Sequence, residues 1–174
     1  MRKFILIVLA AFMSVGTFGR NAVRVDNIYD MIFFSDTNVL GRWPIRDNDL
    51  RRSVIPDSIA DRIIMCDTIY VLSYYESSPI NSLHEVWRYG DICLEYNVAV
   101  NDGSVLSMTE SDKSEILDKI LAKDLIQKSR PKDIVLQSMS VYSFVRRSPT
   151  LFEFERRYYR ADLNKGEVYD PDYK

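Results

Sequence analysis

Short apolar segments with a two-residue period, separated by turn residues, are the feature that most constrains the fold of this 174-residue chain. From Ile63 onward, segments rich in β-branched and aromatic residues alternate with turn signals, of which Asp102-Gly103 is the clearest. In the first segment, Ile69 and Val71 fall on one face and Tyr70 on the other, as in a strand covered on both sides. The pattern predicts an antiparallel meander that begins near Ile63.

One amphipathic helix interrupts the strands. Ser111 is a suitable N-cap, and the apolar residues of 112–128 form a single stripe, with acidic residues near its start and Lys128 near its end. Pro131 ends the helical pattern. We therefore expect an α+β fold: an antiparallel sheet of about five to seven strands, with the helix at about 112–128 packed on one face.

The remaining segments suggest one domain with two poorly structured ends. The chain from 20 to 174 shows no repeat or internal linker, and its length suits a single domain. Residues 20–62 fit neither the helical nor the strand period and are broken by glycine and proline, including Pro56, so we predict an irregular structure there. The tail, 170–174, is expected to be loose.

Residues 1–19 have the three parts of a secretory signal peptide. Two basic residues precede an apolar run over 4–15, which is shorter than the roughly 20 residues that a membrane span needs. Small residues follow, and cleavage after Gly16 or Gly19 fits them. An uncleaved anchor is the alternative. The expected location is therefore the periplasm, the cell surface or the exterior, with no stable membrane span after cleavage.

The charge balance argues against nucleic-acid partners. Removal of residues 1–19 takes two of the 23 Lys and Arg residues and leaves 25 Asp and Glu residues, so the mature net charge is near −4. A nucleic-acid-binding domain needs a basic footprint instead. The hydrophobic fraction, 47%, is that of a globular domain.

The two cysteines, Cys66 and Cys93, leave two alternatives open. In an oxidising compartment they are a candidate disulfide, worth about 3–4 kcal/mol in the chain-entropy model. Otherwise, they are separate buried thiols that act as small hydrophobic side chains. The sequence does not determine whether their Cα atoms come within bonding distance.

The sequence contains no recognisable catalytic, cofactor or metal site. His84-Glu85 begins like the zinc motif H-E-x-x-H, but the fifth position is Arg88, and His84 is the only histidine. The surrounding alternation predicts a strand rather than the helix that this motif requires. No G-x-S-x-G nucleophile elbow is present. We expect no catalytic residues, no cofactor and no metal.

Two patterns fall in the irregular N-terminal part. The run from 36 to 47 partly matches a calcium loop, but Leu40 and Pro44 occupy positions where ligands are needed, which favours a polar loop. Within this run, Gly41-Arg42-Trp43 resembles the G-x-W of the first strand in lipocalin-like barrels. That resemblance implies a barrel that carries a small apolar ligand, although a helix at 112–128 departs from the order of elements in that family.

The most function-like cluster lies near the C-terminus, where arginines alternate with aromatic residues. Such residues bind anions or stack on sugars and peptides. On one strand, five of them would share a face and form a candidate ligand or partner surface: Phe152, Phe154, Arg156, Tyr158 and Arg160. The alternative is structural, with the aromatic rings in the core and the arginines paired with Glu153, Glu155 and Asp162.

These observations favour a non-enzymatic binding or interaction module of the cell envelope or exterior, with a protein, peptide or glycan partner. A secreted hydrolase that uses scattered carboxylates is one alternative. A lipocalin-like carrier of a small apolar ligand is another. An enzyme should show a cleft with convergent titratable groups, whereas a binding module should show an exposed aromatic or arginine surface.

Overall fold

An eight-stranded antiparallel sheet organises the protein. The computed structural model describes residues 21–30, 51–52, 54–77, 79–127 and 135–170. The strands are β1 (Asn21–Arg24), β2 (Thr68–Glu76), β3 (Ser82–Tyr89), β4 (Ile92–Ala99), β5 (Val105–Ser111), β6 (Gln137–Ser148), β7 (Leu151–Asp162) and β8 (Glu167–Tyr169). The described residues also form the α-helices α1 (Asp57–Ile64) and α2 (Glu115–Leu121) and a 3-10 turn (Ile28–Asp30). The predicted α+β class is confirmed.

The strand order is β1-β7-β6-β2-β3-β4-β5, and β8 pairs with the end of β7. The meander β2 to β5 agrees with the predicted succession of strands and turns. At the β4–β5 turn, Gly103 has a φ of +72° and its N–H donates to the carbonyl oxygen of Ala99 at 2.9 Å. This is the turn that Asp102-Gly103 predicts, because glycine adopts a positive φ without steric cost.

The predicted start of the first long strand was wrong. Strand β2 begins at Thr68 rather than near Ile63, because 57–64 forms α1. Ile59, Ala60 and Ile63 fall on one side of that helix and are buried. Pro56, which reads as a chain breaker, is the N-cap of α1, a position where a fixed φ and a missing N–H are tolerated.

In the described part of the chain, a helix packs on each face of the sheet. The α1 face contains a core cluster that includes Ile63 of α1 together with sheet residues such as Val71 and Trp87. The α2 face contains a second cluster, in which Leu117 and Ile120 of α2 pack on the sheet. The sheet is therefore the central layer, and burial on both sides explains why apolar side chains occur on both faces of β2 to β4.

The two cysteines lie in different layers. Cys66 is half-buried and packs against the α1-face cluster, whereas Cys93 is fully buried in the α2-face cluster. Both are free thiols. Of the two alternatives that the sequence left open, the structure contains separate thiols rather than a Cys66–Cys93 disulfide.

Helix α2 is shorter than the predicted span 112–128. Ser111, the predicted N-cap, is the last residue of β5, and Ser114 occupies the N-cap position. The helix ends because Lys123 adopts a φ of +57°. The Lys123 N–H donates to the carbonyl oxygen of Ile120, and the next N–H donates to that of Lys119, which is the hydrogen-bond pattern of a Schellman motif.

Replacing Lys123 with glycine should stabilise the protein by about 0.5–1 kcal/mol, since a side chain in the left-handed region costs about that much. We expect the melting temperature to rise by about 2–4 °C, measured by differential scanning calorimetry. Ala122→Gly is the matched control. Ala122 has a right-handed φ of −75°, so glycine at this position should destabilise the protein. A Lys123→Gly protein that melts below the wild type would contradict this account of the helix end.

Several predicted features lie outside the described residues. These are the signal peptide at 1–19 with its cleavage sites, the calcium-like run at 36–47, Gly41-Arg42-Trp43 and residues 171–174 of the tail. In the part of the chain that the structure describes, no helix is long and apolar enough to cross a membrane.

Candidate functional site

A charged network is buried in the centre of the α1 face. The Glu85 carboxylate on β3 accepts hydrogen bonds from Arg51, at 3.0 Å from Nε and 2.8 Å from Nη2. It also accepts from Ser73 Oγ at 3.2 Å, from Trp87 Nε1 at 3.0 Å and from the Tyr96 hydroxyl. The side chains of Arg51 and Glu85 are both 0% exposed.

The surroundings of Glu85 stabilise its ionised form. Burial by itself raises the pKa of this carboxyl, but the charge of Arg51 and the hydrogen bonds from Arg51, Tyr96 and Trp87 outweigh burial and hold the pKa below its usual value. Burial, followed by the Glu85 charge, raises the pKa of Tyr96 well above normal. The hydrogen-bonding capacity of this enclosed carboxylate is satisfied within the chain. The network therefore connects β2, β3 and β4 to the segment that contains Arg51.

Sequence analysis singled out the His84-Glu85 pair but missed this network. The available signal was position: Glu85 stands between Leu83 and Trp87 on the buried face of a strand, where a lone charge needs a buried partner. The partner, Arg51, lies 34 residues away, within the part 20–62. The irregular structure predicted for that part was wrong where β1 and α1 form.

His84 points to the opposite face of the sheet and belongs to a small polar cluster. Its Nε2 lies 3.0 Å from Glu76 Oε2, and its ring stacks on Tyr74 with the centroids 4.8 Å apart. Burial lowers the pKa of His84, although the Glu76 charge opposes that shift. The strand predicted for this stretch is confirmed as β3. Among the described residues, no group of three or more His, Cys, Asp and Glu side chains is placed to hold a metal ion.

The predicted C-terminal surface follows β7, and its five residues share the α1 face. The first two point into the core: Phe152 is 0% exposed and Phe154 is 8% exposed. Arg156 is half-buried, whereas Tyr158 and Arg160 are exposed. The exposed part of the predicted surface is therefore smaller than the sequence suggested, and its role in binding stays a prediction.

Arg156 connects the buried and exposed parts of this strand. Its guanidinium lies over the Tyr142 ring, 5.3 Å from the centroid, and over the Tyr158 ring at 4.3 Å. It also donates to Ser140 Oγ at 3.0 Å. Planar stacking of a guanidinium between two aromatic rings orders the cation and both rings.

Two other arginines of this region form ion pairs at the surface. Arg157 Nε donates to Glu155 at 2.7 Å, and Arg147 Nη2 donates to Glu153 at 2.5 Å. These are two of the acidic partners that the structural alternative named. The third, Asp162, instead lies 3.9 Å from Lys165 Nζ.

An open groove of about 340 Å³ lies between the end of α2 and the α2 face of β2, β6 and β7. Its apolar lining comes mainly from the helix end and from alternate residues of β6. Its polar lining includes hydroxyls and four charged side chains. The apolar residues are Ile120, Leu121, Val141, Val145 and Phe154, and the polar ones are Tyr70, Tyr159, Ser143, Lys123, Glu153, Glu155 and Arg157.

A row of polar residues crosses this groove, because the strand register places them side by side. Tyr70 on β2 is opposite Ser143 on β6, which is opposite Glu155 on β7. The α2 helix stops before this row, because Lys123 turns the chain away from the helical path. The groove thus exists because α2 covers only part of its sheet face.

Comparisons of the chain with protein-family models, with curated proteins and with solved structures find no match. Function has to be inferred from the geometry described above.

Proposed function

We propose that the protein is an exported, non-enzymatic binding module whose groove beside α2 holds a neutral, polyhydroxylated ligand such as a glycan. The observation that carries this proposal is the balanced charge of a groove whose lining also contains apolar side chains. Lys123 and Arg157 offset Glu153 and Glu155, so the lining has no formal net charge. A neutral ligand gains contacts there without meeting an excess of either sign.

The chemistry of the lining suits sugars. A sugar ring presents hydroxyls that both donate and accept, and it has apolar C–H faces. The groove offers donors on Lys123 and Arg157, acceptors on Glu153 and Glu155, and apolar contact with Val141. Tyr70 adds a half-buried ring with a hydroxyl, the amphipathic type of side chain that suits such a contact.

The same groove is less suited to glycoside hydrolysis. Most glycosidases need one carboxyl group that is protonated and donates to the leaving group. Glu153 and Glu155 each accept a hydrogen bond from an arginine, so each carboxylate already has a partner within the chain. Binding through paired carboxylates is therefore favoured over acid catalysis.

The test uses a panel of neutral hexasaccharides: maltohexaose, cellohexaose, xylohexaose and chitohexaose, each titrated into the protein by isothermal calorimetry. We expect at least one to bind the wild type and to lose at least 10-fold in affinity in Ser143→Trp, which fills the centre of the groove. Ser138→Trp is the matched control, because Ser138 is exposed on the opposite face of the same strand.

Two outcomes would overturn the proposal. The first is binding that Ser143→Trp and Ser138→Trp weaken equally, or no binding to any of the four sugars at millimolar concentration. The second is the appearance of shorter sugars by chromatography after overnight incubation, provided that Glu153→Gln or Glu155→Gln abolishes them. That second result would establish the hydrolase instead.

A further inference from the structure

Strand β5 forms one end of the sheet and is exposed along its whole length. All seven residues of Val105–Ser111 are exposed, including the apolar side chains of Val105, Leu106 and Met108. Within the described part of the chain, β5 pairs only with β4. The backbone groups on its outer side are therefore open to another strand.

Over 107–111 this edge lacks the usual protections against pairing, because its one irregularity lies at 105–106. Natural edge strands are commonly guarded by lysine, proline or an unpaired charge. Strand β5 has neither lysine nor proline. Its single charged residue, Glu110, is neutralised within the chain, because its Oε1 accepts from Arg62 Nη2 at 2.5 Å and from the Tyr89 hydroxyl at 3.0 Å.

We propose that β5 pairs antiparallel with β5 of a second copy of this chain and joins two sheets across a two-fold axis. The register follows from an irregularity. The ladder to β4 shifts between Asn97 and Val98, which leaves Leu106 without a partner on β4. The regular part of β5 is thus 107–111, and a symmetric pairing of these five residues is centred on Thr109.

This register is chemically self-complementary. Thr109 lies opposite its own copy, and Ser107 lies opposite Ser111, so hydroxyl side chains meet on the α2 face. On the α1 face, Glu110 lies opposite Met108 rather than opposite a second Glu110. No like charges are therefore in direct opposition, whereas an in-register parallel pairing would stack the two Glu110 carboxylates.

Strand β5 is better suited to pair with β5 of a second copy than with the opposite end of that copy's sheet. That end is formed by β1 and β8, which have four and three residues. A contact of β5 with either would be short and would propagate into an open chain of molecules, whereas β5 with β5 closes after two copies. A pairing of five residues per strand is short, which is typical of weak and transient contacts, so association is best sought from about 10 µM to 1 mM.

The test is sedimentation equilibrium of the mature chain from 10 µM to 1 mM. We expect a concentration-dependent dimer for the wild type and at least a 10-fold weaker association for Thr109→Lys, which places two ammonium groups face to face. Thr109→Glu alone should be equally impaired. An equimolar mixture of Thr109→Lys and Thr109→Glu should regain the dimer, since the opposed charges then attract. Thr150→Lys, at an exposed turn, is the control and should behave as the wild type.

Three results would overturn the proposal. If the wild type stays monomeric at 1 mM, β5 does not pair with a second copy, and an extended segment of a different protein becomes the better candidate. A dimer that Thr109→Lys does not weaken would place the contact elsewhere. Failure of the lysine and glutamate mixture to associate would refute the register. Circular dichroism spectra of both variants should match that of the wild type, which shows that a loss of association is not caused by misfolding.

Discussion

Replacing Glu85 with glutamine should lower the free energy of unfolding by about 3–5 kcal/mol, the usual loss when one member of a buried ion pair is removed. An amide has nearly the same shape but replaces one acceptor oxygen with a donor nitrogen. The buried Arg51 would lose its carboxylate, and the donors of Ser73, Trp87 and Tyr96, which now share two acceptor oxygens, would have only one. Urea unfolding followed by tryptophan fluorescence measures the change.

The matched control is Glu95→Gln on the neighbouring strand. Glu95 is exposed and makes no ion pair with the described residues, so its loss should change the free energy by less than about 0.5 kcal/mol. The double variant Arg51→Met, Glu85→Leu removes both charges and should recover much of the stability lost in Glu85→Gln. A Glu85→Gln protein within about 1 kcal/mol of the wild type would show that the network contributes little.

The same network predicts a pH dependence. The pKa of Glu85 is lower in the folded protein than in the unfolded chain, where it is about 4.3. The unfolded state therefore binds the proton first, so this contribution to stability is complete above about pH 4.3 and is lost as the pH falls further. In Arg51→Met, burial becomes the dominant influence and raises the pKa, so this acid-side loss should disappear. Unfolding free energies between pH 3 and 7 test both statements.

Local sequence patterns predicted the strands of the meander well, because short apolar runs between turn signals identify buried strands. Alternation of apolar residues along β2 to β4, together with Asp102-Gly103, specifies paired strands without knowledge of their partners. Helix α1 was missed because only eight residues carry its pattern, and Pro56 reads as a breaker rather than as a cap. The early end of α2 depends on a left-handed lysine, a position where sequence patterns lead one to expect glycine.

The sites could not be predicted in the same way, because they are built from distant segments. Arg51 and Glu85 are 34 residues apart, and nothing in their local sequences indicates that they meet. The groove depends on where α2 stops over β6 and β7, which is a matter of packing rather than of periodicity. The arginine and aromatic pattern of β7 was visible, but its division into core and surface depends on how far the core extends beneath that strand.

Phe152 belongs to the core part of β7, so its replacement is the second change for which we expect a large loss of stability. Phe152→Ala should lower the free energy of unfolding by about 3–5 kcal/mol, because the ring is fully buried and its removal leaves a cavity. The guanidinium of Arg146, which lies over this ring at 4.7 Å, would also lose its aromatic contact. Arg146 donates to the carbonyl oxygens of Ile64, the last residue of α1, and of Cys66, so the cavity should loosen the end of that helix as well.

Tyr158→Ala is the matched comparison on the same face of the same strand. Tyr158 is 54% exposed, so little of its ring is part of the core, and its removal should cost no more than about 1 kcal/mol even with the loss of its contact to the Arg156 guanidinium. The free energies of unfolding of the two variants, measured by urea denaturation, should therefore differ by at least about 2 kcal/mol. Equal losses would mean that the core extends to Tyr158, and the exposed part of the predicted surface would then have to be abandoned as a binding site. The expected difference would instead leave Tyr158 as the position to replace when that surface is tested for a partner, since its loss would not unfold the protein.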